Sequence, residues 1–264
     1  MTTVPCFHVD AFTARPFGGN PAAVCLLADS KPARWMQSIA AEMNLSETAF
    51  VCPTKRGFSL RWFTPTVEVA LCGHATLAAA YVLYSEGVAP PDRLLEFRTK
   101  SGVLTAAPDG RQIVLDFPSQ ALRSKKPTAA LKKALGRAPR NVVEAGEDLL
   151  VEVGSEAQVV NYAPDFREVA RLGGRGLIVT ARATAKKFDF VSRFFGPAVG
   201  VDEDPVTGSA HCALAPYWSE KLGKTRMRGY QASARGGEVG VELIEDRVLL
   251  RGAAVTVMRG ELVS

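Results

Sequence analysis

Arg61-Trp-Phe-Thr-Pro-Thr-Val-Glu-Val69 returns 132 residues later as Arg193-Phe-Phe-Gly-Pro-Ala-Val-Gly-Val201, with five of nine residues identical. A repeat of this kind organises the whole fold. Downstream, each copy reaches a glycine followed by small residues and then an apolar run. These are Gly73-His-Ala-Thr76 with Leu77 to Tyr84, and Gly208-Ser-Ala-His211 with Cys212 to Leu222, the second copy carrying three extra residues. Further on, Gly102-Val-Leu-Thr leading to Ile113–Phe117 matches Gly237-Glu-Val-Gly leading to Val248–Leu250, and both read as β-hairpins. Upstream, the helical spacing of Trp35, Met36, Ile39, Ala40 and Met43 runs into Ala49-Phe-Val51, as Pro164 to Leu172 runs into Leu177-Ile-Val179. Matches in the same order point to a duplicated domain.

The run Leu77-Ala-Ala-Ala-Tyr-Val-Leu83 is apolar on every face, which predicts a buried helix wrapped by sheet. Its counterpart contains Pro216, which removes an intrahelical hydrogen bond and is expected to kink or shorten that helix. Ser119 to Arg140, rich in Lys, Ala and Pro, reads as the crossing between the halves, with a short helix over Ala129 to Leu135.

With 264 residues, 47% of them hydrophobic, the chain has material for one large core or two of ordinary size. No apolar run of about eighteen residues occurs, and Met-Thr-Thr-Val-Pro-Cys-Phe-His-Val-Asp10 lacks the basic and apolar regions of a signal peptide, so a soluble cytoplasmic protein with no membrane partner is expected. The five cysteines, Cys6, Cys25, Cys52, Cys72 and Cys212, form no C-x-x-C pair, which fits reduced thiols. A formal charge of +5 suggests nucleic acid at first, but the 32 basic residues are spread among 27 acidic ones. Only Arg123 to Lys133 is locally basic, and it reads as a solvated helix or linker rather than a nucleic-acid site. No metal site is expected, because His8, His74 and His211 show none of the close ligand spacings. Gly18-Gly-Asn20-Pro reads as a tight turn, not a nucleotide loop.

A helix that begins at glycine leaves its first amides unpaired at the positive end of the macrodipole, which favours a carboxylate or developing oxyanion. Each half has such an end, at Gly73 and at Gly208, and a pseudo-twofold arrangement would aim both into one cleft. The reactive residues should be those that break the symmetry. Glu47 of Asn44-Leu-Ser-Glu47 has Arg175 opposite it when Phe50 is aligned with Ile178, so only one half supplies a carboxylate there. Asp204, in the insertion Asp202-Glu-Asp204-Pro, lies just upstream of Gly208 and is either a substrate contact or a cap before Pro205. His74 is either a proton donor or orienter, or a satisfied structural group.

Together these segments resemble the PhzF-like family, named for the phenazine-biosynthesis isomerase. The resemblance runs through Val9-Asp-Ala-Phe12, Gly19-Asn-Pro21, Asn44-Leu-Ser-Glu47, Cys72-Gly-His-Ala-Thr76, Glu203-Asp-Pro-Val-Thr-Gly-Ser-Ala-His211 and Ser233-Ala-Arg-Gly-Gly237, nearly the whole chain. It implies an α+β protein of two pseudo-symmetric diaminopimelate epimerase-like domains, each a β-barrel-like sheet around a central helix, with the active site between them and a homodimer as the usual assembly. The last strand would return to the first domain, giving halves of 1–118 plus 254–264 and of 119–253. By the same resemblance Glu47 matches the general acid/base, and His74 and Asp204 match the residues that bind and orient the substrate beside it. Gly73, Gly208 and Ser209 match positions lining the ligand, with Asn20 and Ser46 near them. The implied reaction is a cofactor-free proton shift on a small carboxylate-bearing molecule, like the isomerisation of trans-2,3-dihydro-3-hydroxyanthranilate. Related racemases use two opposed cysteines; here Cys72 stands at one place and Thr207 at the other, so two-thiol chemistry is not expected. A one-carboxylate racemase or epimerase, or a non-catalytic binding protein that keeps the fold, are the alternatives.

Overall fold

In the computed structural model, which describes residues 3–263, the wholly apolar run after Gly73 is a helix enclosed by strands. The chain divides into two compact units, Met1–Asp116 with Arg251–Ser264, and Phe117–Leu250.

The first unit contains β1 (Thr3–Ala11), β2 (Asn20–Leu26), α1 (Ala33–Met43), β3 (Glu47–Pro53), β4 (Phe58–Phe63), β5 (Glu68–Val69), α2 (Gly73–Ser85), β6 (Leu95–Thr99) and β7 (Gly102–Asp109), with β8 (Gln112–Pro118) running to its edge. β1 pairs antiparallel with β2, which runs parallel to β3; β3 pairs antiparallel with β4, which runs parallel to β6. The predicted hairpin joins β7 to β8. α2 packs on β1, β2, β3 and β7, and its residues from His74 to Ala80, with Val82 and Leu83, are all buried. It is therefore a core helix with no solvent face to set its orientation, and enclosure fixes it instead. α1 is amphipathic, burying Met36 and Ala40, while the Trp35 ring meets Phe50 edge-on at 6.0 Å.

The second unit contains β9 (Leu122–Ser124), α3 (Ala129–Leu135), β10 (Asn141–Ala145), β11 (Asp148–Glu152), α4 (Glu156–Val160), α5 (Phe166–Ala170), β12 (Gly176–Arg182), β13 (Phe190–Gly196), β14 (Val201–Asp204), α6 (Gly208–Leu222), β15 (Arg226–Gln231) and β16 (Gly237–Ile244). The order of pairings repeats: β11 is parallel to β12, β12 antiparallel to β13, and β13 parallel to β15. β17 (Arg247–Gly252) then leads back to β18 (Ala254–Val263), which lies antiparallel along β1 in the first unit. The predicted helix over Ala129–Leu135 forms, capped by the Thr128 side chain, which accepts from the Leu131 amide. The basic stretch before it is not all helix or linker. Leu122–Ser124 is a strand paired with β10, because the backbone of the crossing segment finds its hydrogen bonds along that edge.

The repeat is also written in side chains. Arg61 clasps Glu68 through two bonds of 2.7 and 2.9 Å, and Arg193 clasps Glu203 through two of 2.7 and 2.8 Å. Each guanidinium also lies over a phenylalanine two residues on, Phe63 at 5.2 Å and Phe195 at 4.8 Å. Bidentate pairing plus stacking is an arginine-specific arrangement, and it pins equivalent strands in both units. Pro216 does not shorten α6, which runs unbroken from Gly208 to Leu222. The carbonyl that Pro216 cannot engage is that of Cys212, and it accepts instead from the Gln120 amide at 3.1 Å. Among the described residues no helix is long and apolar enough to cross a membrane.

Truncating the fully buried Leu83 of α2 to alanine removes enclosed packing with no solvent-facing relaxation available. Leu83→Ala is expected to lower unfolding free energy by about 2–5 kcal/mol, read as a drop in the urea midpoint at unchanged slope.

Candidate active site

Two short stretches of backbone build the first group. α1 ends where Asn44 takes the left-handed conformation at φ 50°, turning the chain so that Glu47 becomes the first residue of β3, with Ser46 half-buried just before it. The loop after β1 is pinned by the buried Asp10, whose carboxylate accepts from the Phe17 amide at 2.7 Å. It then passes Gly19 at φ 60°, where a Cβ would lie 2.0 Å from the Ala11 carbonyl oxygen, so only glycine fits. That turn delivers Asn20 to the start of β2. Cys72 precedes the first turn of α2, and His74 lies in that turn.

These residues meet. His74 Nε2 faces Glu47 Oε2 at 3.1 Å, and neither atom has any other hydrogen-bond partner. The other ring nitrogen, Nδ1, lies 3.1 Å from the Asn20 side-chain amide nitrogen and 3.6 Å from the Cys72 sulfur. His74 is buried, while the Glu47 carboxyl keeps about a fifth of its surface open. Burial opposes a charge on His74, as does its place at a helix start, but the Cys72 sulfur and the Glu47 carboxylate outweigh both and hold the imidazole well above the ordinary histidine range. Cys72 is pushed up by its own burial and by the Glu47 charge, which disfavours its thiolate. Histidine spacing alone does not reveal this grouping, in which ligand-type atoms of Glu47, Cys72 and His74 all lie within 4.8 Å of one another, because Glu47 arrives from a different strand.

In the second unit, Asp204 ends β14 and Gly208 begins α6. The Thr207 hydroxyl donates to Asp204 Oδ2 at 2.6 Å, and Gln231 brackets the turn by donating to the Asp204 carbonyl at 2.7 Å while accepting from the Thr207 amide at 2.9 Å. The Ser233 hydroxyl donates to the Pro205 carbonyl at 2.8 Å, which explains the serine of Ser233-Ala-Arg-Gly-Gly237. Arg175 donates to the Ser209 hydroxyl at 2.8 Å and forks onto Asp148. Neither Gln231 nor Arg175 was foreseen as part of this neighbourhood; Arg175 carried the only signal, as the residue aligned with Glu47. Glu203 is spent on Arg193, leaving Asp204 as the carboxylate beside the helix start. His211 is fully buried with Nδ1 at 2.8 Å from the Thr207 carbonyl oxygen, and burial pushes it down to about 4, so it is a neutral structural group.

The sequence pattern of the phenazine biosynthesis-like protein family matches residues 9–260. The chain belongs to the phenazine biosynthesis-like, or PhzC-PhzF, family. Among its relatives, an uncharacterized isomerase of Halalkalibacterium halodurans is 51% identical across 99% of both chains, and one of Pseudomonas aeruginosa is 52% identical across 97% of both. The crystal structure of an Enterococcus faecalis PhzF family protein superposes with a TM-score of 0.96 at 40% identity, covering the whole of both chains. This PhzF-family chain therefore shares its relatives' α+β fold throughout its length.

The two buried histidines respond oppositely to pH. The unfolded chain titrates near 6.5; His74, raised when folded, adds stability that is complete below that value and is lost as pH rises through its folded value. His211, lowered to about 4, subtracts stability as pH falls from about 6.5 toward 4. Imidazole NMR should show His74 still protonated past neutrality and His211 titrating only near pH 4. Glu47→Gln should bring the His74 midpoint down while leaving His211 where it is; an unmoved His74 would refute the pairing.

Proposed function

We propose that this chain is a cofactor-independent isomerase that moves a proton between carbons of a small carboxylate-bearing substrate, with Glu47 as general acid/base. The observation that carries this reading is the Glu47 carboxylate, partly open, set against the buried His74 imidazole at 3.1 Å. A carboxylate there, partly open and beside the imidazole, is placed to accept a carbon-bound proton. Asn20 fixes the far side of the ring, so the imidazole edge stays turned to Glu47. Glu47 takes the proton from one carbon, the electron pair moves through the adjacent unsaturated system, and the same carboxyl returns the proton at another carbon. The isomerase names borne by relatives about half identical to this chain support the reaction class. The nearest chemical likeness is the isomerisation of trans-2,3-dihydro-3-hydroxyanthranilate, which the family resemblance suggests as a first substrate to try.

Cys72 supports this reading over thiol-based racemisation, because its buried sulfur is held as a neutral thiol. Asp204, with Gly208 and Ser209 at the start of α6, is proposed as a substrate contact on the family resemblance alone. Proton NMR in deuterated water, over a panel of cyclic and unsaturated amino and hydroxy acids, tests the proposal. Deuterium should enter at a carbon different from the one that loses hydrogen, and Glu47→Gln should slow this by roughly 10²–10⁴. Return of deuterium to the same carbon would make the enzyme an epimerase, and full turnover by Glu47→Gln would remove the carboxylate from the reaction. Asp204→Asn is expected to weaken substrate use while leaving the fold intact by circular dichroism; unchanged KM and kcat would strip Asp204 of its role.

A further inference from the structure

We propose that Glu47, Cys72 and His74 also form a binding site for a thiophilic divalent cation, Zn²⁺ by its ligand preferences, and that the bound ion takes the acid/base carboxylate out of action. The inhibitory part rests on the role given to Glu47 above; the binding part does not.

The donor set is one sulfur, one imidazole nitrogen and one carboxylate oxygen, the three ligand types that zinc takes in proteins. Around a tetrahedral zinc with bonds of about 2.0–2.3 Å, neighbouring donors stand about 3.3–3.8 Å apart. Here His74 Nε2 and Glu47 Oε2 are 3.1 Å apart, the Cys72 sulfur lies 3.6 Å from the other ring nitrogen, and one ligand atom of each residue falls within 4.8 Å of the others, so rotation of the Cys72 side chain toward Nε2 would bring all three onto one ion. His74 is 4% exposed, and its Nε2 and Glu47 Oε2, 3.1 Å apart, have no hydrogen-bond partner beyond each other, so an ion entering there displaces a single contact and gains both ligands. With its amide turned to present the oxygen, the Asn20 side chain would accept from Nδ1–H, the kind of outer contact that orients a metal-ligating histidine.

Charge also balances. The start of α2 carries a partial positive charge that disfavours a lone cation. A thiolate and a carboxylate together supply two negative charges, which match those of Zn²⁺ and leave the neutral imidazole as third ligand. On binding, the Cys72 thiol and the His74 imidazolium each release a proton to solvent, and three bonds to the metal replace the ion pair. Three protein ligands leave the fourth position to water. In that state Glu47 is bonded to the metal and cannot accept a carbon-bound proton.

Co²⁺ is the spectroscopic probe. The full chain, stripped with EDTA and titrated with cobalt chloride, should show near-ultraviolet thiolate-to-cobalt absorption and visible bands of four-coordinate Co²⁺, saturating at one equivalent. Zinc chloride should abolish both. Cys72→Ser should lose the thiolate absorption, and Cys52→Ser should keep it, each judged on protein shown to be folded by circular dichroism. No thiolate absorption in the unmodified chain, or its survival in folded Cys72→Ser, would overturn the site. Zn²⁺ should also stop substrate proton exchange over the range in which it displaces Co²⁺, reversibly with EDTA. Exchange that continues at saturating Zn²⁺ would overturn the inhibitory part. Cobalt absorption in a chain that exchanges no proton on any acid would uphold the site while removing the acid/base role of Glu47.

Discussion

Enclosure of α2 is the constraint on which the first unit depends. A helix apolar on every face has no stable place at a surface, so strands must surround it, and its burial from His74 to Ala80 and at Val82 and Leu83 leaves little freedom to roll or slide. The polar side chain at its start is carried inward with it. His74 thus becomes a buried ionisable group, and a buried charge needs a partner nearby. Glu47 is that partner, delivered by the left-handed turn at Asn44, and Asn20 arrives beside it from a loop pinned by Asp10.

Duplication separates scaffold from chemistry. The forked arginine–glutamate pairs, Arg61 with Glu68 and Arg193 with Glu203, recur with the same stacking on phenylalanine, as does the alternation of parallel and antiparallel strand pairs. The ends of the helices do not recur in kind. One carries Cys72 and His74 against a carboxylate, the other Thr207 and Ser209 with Arg175 bound to Asp148 and Ser209. An arginine committed in this way cannot accept a proton, whereas a carboxylate next to an imidazolium can.

The α+β fold was legible from the family motifs, and the amphipathic α1 and the buried α2 because hydrophobic periodicity and its absence are direct statements about solvent. Ala129–Leu135 was legible because Thr128 and Gly136 punctuate it. Pro216 removes the hydrogen bond to the Cys212 carbonyl as the sequence implies but does not shorten α6, since the amide of Gln120, far away in sequence, reaches that carbonyl. Leu122–Ser124 was missed for a similar reason: three residues carry no period, and only the neighbouring strand makes them one. The candidate residues Glu47 and His74 could be picked out by asymmetry and motif. Their contact, and that of Cys72, could not, because spacing along the chain says nothing about two elements packed side by side. Glu203 and Asp204, adjacent in sequence, face different tasks that only the position of Arg193 distinguishes.

The pairing of β18 with β1 bears on how the protein is made. Residues Thr3 to Ala11 leave the ribosome well before one of their two hydrogen-bonded neighbours, Ala254 to Val263. Everything from Phe117 to Leu250 is available before that neighbour exists. The half of the polypeptide that is begun first is therefore finished second, and during translation one flank of β1 waits with its backbone groups unsatisfied. A nascent chain stalled shortly before residue 254 would present an open strand edge, the feature by which incomplete sheets recruit chaperones or one another.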